Sequence, residues 1–344
     1  MANGGDSIKQ EHPTVPPRPP PTATPPPRET DLADDKAQSL LNSLRSTSFT
    51  PQEYETCMRS LTSVMTSSED EDEALFQEVI SKLNETEFWR MVGLLTLKPD
   101  DRYFLEIARN KNGSIRLHKL LGKSDNADAL ICVAILRHFF HAMTDKNVSY
   151  VVAIQGMRVF RHDKKRAMRD QLLHHAVSLA RTRHGSIMLR AIITDDDFEY
   201  CRHCLLGKLA YNALLLSYDA YGTSVVQHAL EHGALRSTRN ISVRLRGHYA
   251  ELSFTEGGRH IVEKLLERDE ETEALVVEEL LKCQGDELVK LATSVYGHFV
   301  VEKALKVTRV DLFKGLVNKL KPFLPLLRTS PQSTTIAEIL ESVR

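Results

Sequence analysis

The stretch Tyr221–Leu230, YGTSVVQHAL, decides the fold. Gly222 suits a turn into a helix, because a residue without a Cβ tolerates φ > 0. Thr223 follows as the expected N-cap, and Val225, Val226, Ala229 and Leu230 recur at the spacing of one buried helix face. Thr223 and Gln227 stand four apart, so they share a second face, one turn from each other. Gln227 comes one residue too late for a capping box. Local helix chemistry thus accounts for Thr223 and leaves Gln227 unexplained.

The pattern recurs. NGSIRLHKLL places Gly113, HGSIMLRAII places Gly185, GGRHIVEKLL places Gly258 and YGHFVVEKAL places Gly297. Successive glycines lie 72, 37, 36 and 39 residues apart, and the first gap is twice 36. A further unit is therefore expected at Ser149, where YVVAIQGM follows with Val152 and Ala153 in register. Another is expected at Ser333, followed by TTIAEIL. A fixed period of this length marks stacked helical units, none of which buries its apolar face alone.

Within a unit, LAYNALLLSYDA supplies a first helix, the stretch from Gly222 a second and Leu235–Leu245 a third. LVKLATSVY before Gly297 and YFLEIARNK before Gly113 repeat the arrangement. The expected fold is all-α, a right-handed superhelix of stacked three-helix units of about 36 residues. Upstream of Gly113 the register fades. Gln77 takes the glycine's place and the apolar pair becomes Ile80 and Ser81, so residues 74–100 are expected to form an atypical capping unit.

Composition agrees. With 42% hydrophobic and 26% charged residues the chain has the make-up of a soluble globular protein, and only 6% aromatics with few alternating β-branched runs disfavour sheets. Net charge is −1 over 344 residues, so any basic surface must be local. The N-terminus MANGGDSIKQEHP lacks the apolar core of a signal peptide, and the longest apolar run, residues 127–136 apart from Asp128, is too short to span a membrane. Five cysteines without a secretory signal point to reduced thiols, hence the cytosol or nucleus, with the cytoplasm preferred.

Three regions follow in order. Residues 1–35 are expected to be a disordered tail, because nine of the 14 prolines fall between Pro13 and Pro27. Its PPRPPP segment is of the kind that docks on SH3 or WW domains, against the plainer reading of a solubilising tail. Residues 36–73 are expected to hold short helices and an acidic linker. Ala37, Leu40, Leu41 and Leu44 make one amphipathic pattern, and Thr50, Pro51 and Glu53 read as the start of a helix running to about Met65. Glu69 to Glu73 is the linker. The repeat domain then occupies residues 74–344.

The residues LSYDAYGTSVVQHAL, LATSVYGHFVVEKAL and FTEGGRHIVEKLL resemble the repeats of the Pumilio (PUF) family, over roughly residues 101–344. The resemblance implies single-stranded RNA bound on a concave face, one base per repeat, in the 3′ untranslated regions of messenger RNAs whose translation or stability is regulated. It implies a base-edge pair one and five residues after each glycine and a wedge two after it.

These positions are Ser114 and His118 with Ile115, Tyr150 and Ile154 with Val151, and Ser186 and Arg190 with Ile187. Next come Thr223 and Gln227 with Ser224, Arg259 and Glu263 with His260, and His298 and Glu302 with Phe299. Thr334 and Glu338 with Thr335 are last. The family usually pairs Asn, Ser or Cys with Gln, or Ser with Glu, around an aromatic or Arg wedge. Thr223 with Gln227 is nearest and suggests adenine or uracil; Ser186 with Arg190 would donate to cytosine or guanine. Ile154 forms no hydrogen bond, so its unit is expected to be silent. Mostly aliphatic wedges imply a weaker, shorter site, since base stacking contributes about 1–3 kcal/mol per base.

Other readings compete. Arg259 with Glu263 and His298 with Glu302 are also ordinary i,i+4 helix pairs. In the first ten residues of the six helices from Gly113 to Gly297, Lys and Arg outnumber Asp and Glu eight to four, a local surplus of the sign phosphate attracts. RVFRHDKKRAMRD, residues 158–170, reads as a solvated helix face and turn, with phosphate contact or nuclear import as the rival. Cys201-x-x-Cys204 lacks the further ligands of a zinc site. No P-loop, G-x-S-x-G or HExxH motif supports an enzyme, and no cofactor is expected. The chain is expected to act as a monomer. The alternative to RNA is a helical scaffold that holds a protein in its groove.

Overall fold

The computed structural model describes residues 29–46, 48–96 and 101–343, and among them every regular element is a helix. The proline-rich stretch and its PPRPPP segment lie outside the described residues. Buried apolar side chains form one continuous cluster from Ala37 to Leu340, so the helices share a single elongated core. The architecture is an all-α repeat superhelix.

Two rows of helices make it. The glycine row runs Pro51–Thr66, Lys111–Leu120, Tyr150–Val159, Arg183–Thr194, Gly222–His232, Glu256–Arg268, Gly297–Val307 and Thr334–Ser342. The opposite row runs Glu85–Thr96, Asp125–Arg137, His162–Ala180, Glu199–Tyr211, Leu235–Leu245, Glu270–Lys282 and Val310–Leu320, each packed on the next. Short helices such as Ala213–Ser217 and Gly285–Thr293 lead into most of the glycine-row helices. The third helix of the Gly222 unit has the bounds read from sequence, Leu235–Leu245. The first does not: LAY closes the preceding helix, and a break at Asn212 separates it from Ala213–Ser217.

The repeat glycines have a different cause from the one expected. None has positive φ; among the described residues only Gly122, Gly247 and Asp101 do. At Gly113, Gly185, Gly222, Gly258 and Gly297, a Cβ would fall less than 3.0 Å from the carbonyl oxygen of the residue six earlier. The short helix and the glycine-row helix cross too closely for any side chain. Ser333 takes the glycine's place by donating its hydroxyl to the equivalent carbonyl, Leu327, at 2.8 Å.

Thr223 is not the N-cap. It lies inside Gly222–His232, whose first amides are bound by Asp219: the N–H groups of Tyr221 and Gly222 each donate to its carboxylate at 3.0 Å. Burial pushes the Asp219 carboxyl up, but the Gly222 amide, Arg181 and the Tyr221 amide together hold it below its ordinary value. Asn110, Thr182, Thr255 and Ser294 occupy the same place, three before the glycine, and each accepts from the glycine N–H. One capping device therefore recurs in five units with four different residue types.

Thr50 and Glu53 form a capping box with Pro51 in the first turn, and that helix ends at Thr66. Ala37, Leu40, Leu41 and Leu44 are buried as their spacing predicts, in a helix that already begins at Glu29. The acidic run is not a linker: Asp70–Glu73 form the first turn of Asp70–Lys82, where four carboxylates favourably face the helix dipole.

The array also begins before residue 74. Helix Pro51–Thr66 stands in the glycine row, packed on Lys111–Leu120. The inserted helix Asp70–Lys82 lengthens the spacing, which is why counting back 36 from Gly113 misses it. A second irregularity follows the Ser149 unit. His162–Ala180 runs 19 residues without a turn, fusing the third helix of one unit with the first of the next.

Candidate functional site

The base-edge and wedge positions fall along the glycine row, but the units differ in what they leave free. Ser114 and Ser186 are buried, at 1% and 3% exposure, and their hydroxyls donate back to the Lys111 and Arg183 carbonyls at 2.9 Å. Their partners one turn on, His118 and Arg190, are half-buried. Ile115, Ile187 and Phe299 stand exposed at the wedge positions. Tyr150 and Ile154 are partly buried and pack against the core.

In the Gly222 unit, Thr223, Ser224 and Gln227 are all half-buried. The Ser224 hydroxyl turns back to the Tyr221 carbonyl at 2.7 Å. Gln227 donates through Nε2 to the Gly257 carbonyl at 3.0 Å, and a Cβ at Gly257 would strike the Thr223 side chain. Gly257 thus supports both edge residues of the neighbouring unit. In the sequence it is masked by the adjacent Gly258, which carries the repeat register.

Arg259 and Glu263 form the i,i+4 ion pair of the plainer reading, at 3.2 Å, and His260 approaches the same carboxylate through Nδ1, also at 3.2 Å. The Arg259 guanidinium also lies 4.2 Å from the centre of the Phe299 ring, so the edge residue of one unit covers the wedge of the next. His298 and Glu302 do not pair with each other. His298 bonds through Nδ1 to the Ser294 carbonyl at 2.8 Å and packs on Phe299, while Glu302 binds Lys306. Thr334 and Glu338 are exposed in the last unit.

Electrostatics change the reading of charge. Of the eight Lys and Arg residues in the glycine-row windows, seven meet a carboxylate. Arg116 and Lys119 bind Glu73, Arg158 binds Asp195 and Asp197, and Arg259 binds Glu263. Lys264 binds Glu231, Lys303 binds Glu267 and Lys306 binds Glu302. Four of these acids, Glu231, Glu263, Glu267 and Glu302, belong to the eight-to-four tally, and the surplus over them is largely neutralised by Glu73, Asp195 and Asp197 from outside the windows. Arg190 alone of the eight has no carboxylate partner among the described residues, and its buried Nε has no acceptor.

The remaining motifs find structural roles. In the basic run, Arg158 is paired as above, buried Lys164 binds Asp125 at 2.8 Å and Arg169 binds Asp170. Cys201 is buried, donates to the Phe198 carbonyl and has its thiol pushed up to about 11 by burial, whereas Cys204 is exposed. Among the described residues no helix is long and apolar enough to cross a membrane.

Comparison with known proteins agrees with this architecture. A sequence model described as the Pumilio-family RNA binding repeat matches residues 212–240 and 287–320. The putative pumilio homolog 20 of Arabidopsis thaliana is 46% identical over 352 residues, covering 100% of this chain and 98% of that protein. Pumilio homolog 18 of the same plant is 51% identical over 272 residues, covering 78% of this chain and 82% of its own. Among solved structures, the Puf4 RNA binding domain bound to an HO endonuclease RNA 3′ UTR recognition sequence superposes with a TM-score of 0.64 at 20% identity, over 88% of this chain and 95% of that one. The RNA-binding domain of yeast Puf5p bound to SMX2 RNA gives 0.61 at 14% identity, over 91% and 95%.

Proposed function

The chain belongs to the Pumilio family, and on that premise we propose that its glycine row binds single-stranded RNA, with targets in the 3′ untranslated regions of messenger RNAs whose translation or stability it regulates. Arg190 carries the reading. Its Nε is buried without an acceptor, as are those of Arg202 and Arg259; what sets Arg190 apart is a guanidinium charge that no carboxylate among the described residues meets and that a group outside the chain can complete. A base edge or a phosphate oxygen does so with the planar, forked geometry that Arg matches. Around it, Thr223 and Gln227 supply polar edge atoms, and Ile187, His260 and Phe299 supply the surfaces between bases.

The neutralised lysines give a second reading its support. With seven of eight cations paired and isoleucines at two exposed wedge positions, the row also suits a protein partner. Selection from a random single-stranded RNA pool separates the two. The test uses the whole chain, because Arg116 ties Lys111–Leu120 to Glu73 and to the Val64 carbonyl, contacts that a fragment starting at residue 101 would lose. A short enriched motif whose binding weakens with salt is the expected result. No enrichment at any salt concentration overturns RNA binding and leaves the protein scaffold.

A further inference from the structure

His228, Glu231 and His232 form the sequence His-x-x-Glu-His on helix Gly222–His232, where i, i+3 and i+4 positions share one face. One donor atom from each lies within 4.8 Å of the other two. Glu231 Oε2 stands 3.9 Å from His228 Nδ1 and 3.9 Å from His232 Nε2. The two imidazole rings are 4.3 Å apart, centre to centre. RNA recognition as described above uses none of the three.

Their outer contacts fix the atoms that face one another. His228 Nε2 reaches the Arg190 carbonyl at 3.0 Å, and a carbonyl only accepts, so Nε2 carries the proton and Nδ1 presents a lone pair. The Thr194 hydroxyl, which donates to the same carbonyl at 3.0 Å, accepts from Nε2 at 2.7 Å and holds the ring in place. Glu231 divides its two oxygens: Oε1 is bound by Lys264, and Oε2 faces the histidines. Imidazoles whose second nitrogen donates to a backbone carbonyl, and carboxylates that are themselves hydrogen-bonded, are the usual surroundings of metal ligands.

We propose that His228 Nδ1, Glu231 Oε2 and His232 Nε2 bind one divalent first-row transition ion, with Zn²⁺ the reference case. Two nitrogens and one carboxylate oxygen suit Zn²⁺ or Cu²⁺ and disfavour Mg²⁺ and Ca²⁺, which take oxygen ligands. Metal–ligand bonds of about 2.0–2.2 Å require the donors to close by roughly an ångström or more. Half-exposed Glu231 and His232 have room for the rotation. Three protein ligands leave a coordination position open to water. Because His228 touches the preceding glycine-row helix and Glu231 the following one, the ion would join three successive units.

Zn²⁺ titration of the full chain by calorimetry tests this, with Cu²⁺ and electron paramagnetic resonance as the second readout. One ion per chain is expected, with nitrogen hyperfine structure in the Cu²⁺ spectrum. Affinity should fall at least about tenfold in His232→Ala and in Glu231→Gln, both surface changes, and stay unchanged in Cys204→Ser. Absence of binding overturns the site. So does unchanged affinity in both the His232→Ala and Glu231→Gln variants, or loss of binding in Cys204→Ser.

Discussion

Gln227 donates its amide nitrogen to the carbonyl of Gly257, fastening the edge position of one unit to the backbone of the next at 3.0 Å. The contact orients the amide: Nε2 faces the carbonyl, and Oε1 remains as the acceptor. The second Nε2–H also remains, so a base placed here can be met by an acceptor and a donor. Gln227→Glu keeps the shape but sets an acceptor against the carbonyl. It should lower stability by about 1–3 kcal/mol in urea denaturation. An unchanged midpoint would mean the tie contributes nothing.

The glycines divide into two kinds with opposite expected effects. At Gly222 a Cβ would meet the Leu216 carbonyl at 2.6 Å, so Gly222→Ala should cost about 1–3 kcal/mol as the two helices are forced apart. Gly207 lies within helix Glu199–Tyr211 with nothing near its would-be Cβ. Gly207→Ala should stabilise by about 0.5–1 kcal/mol, since Ala loses less backbone entropy in a helix. Urea midpoints moving in the same direction for both variants would sink the distinction.

How much of this the sequence carried depends on whether the signal was local. The apolar positions around Gly222 and the third helix Leu235–Leu245 were legible because helical periodicity is written within one turn or two. The reason for Gly222 was not, since its constraint comes from a carbonyl in the preceding helix. The ten residues that begin at each glycine position hold the cations but not Glu73 or Asp195, whose carboxylates arrive from elsewhere in the fold. The caps were present in plain sight three residues before each glycine. Asn110, Thr182, Asp219, Thr255 and Ser294 share no residue type that a repeat comparison would align, only a common ability to accept.

Glu73 makes stability fall in acid. Hydrogen bonds from Lys119, Gln77 and Arg116 lower its carboxyl from about 4.5 to about 2. A group depressed in the folded state stabilises fully above its unfolded value and loses that contribution as pH falls through the folded one. The loss should therefore appear between about pH 4.5 and 2, reduced in size by solvent at this partly exposed side chain. Urea midpoints across that range should drop less steeply in Glu73→Gln than in the parent. Parallel curves would refute the assignment.

Phe299, at a wedge position, is already partly covered. Arg259 lies 4.2 Å and the His298 ring 3.9 Å from its ring centre, so a base gains only the ring surface these two leave open. Phe299→Ala should weaken RNA binding by no more than the lower end of the stacking range, about 1 kcal/mol. Gln227→Ala combined with it should weaken binding further while the far-ultraviolet circular dichroism stays helical. Unchanged affinity in the double variant would move the interface away from these two units.

Arg190 offers the sharpest test, because it is the one cation of the eight that forms no ion pair among the described residues. A cation that meets phosphate releases counterions, and each such contact on a single strand contributes about −0.7 to the slope of log affinity against log salt. If the guanidinium meets the backbone, Arg190→Ala should make the slope shallower by about that amount, and Arg190→Lys should restore it. If it grips a base edge instead, Lys should fail to restore affinity, since a point charge cannot reproduce the fork. Both outcomes place Arg190 at the RNA. Arg190→Ala should also leave the urea midpoint near that of the parent, because the side chain has no ion pair to lose and its buried Nε is unsatisfied. Equal affinity and slope in the Ala variant, with the fold intact, would remove the residue on which the RNA reading rests.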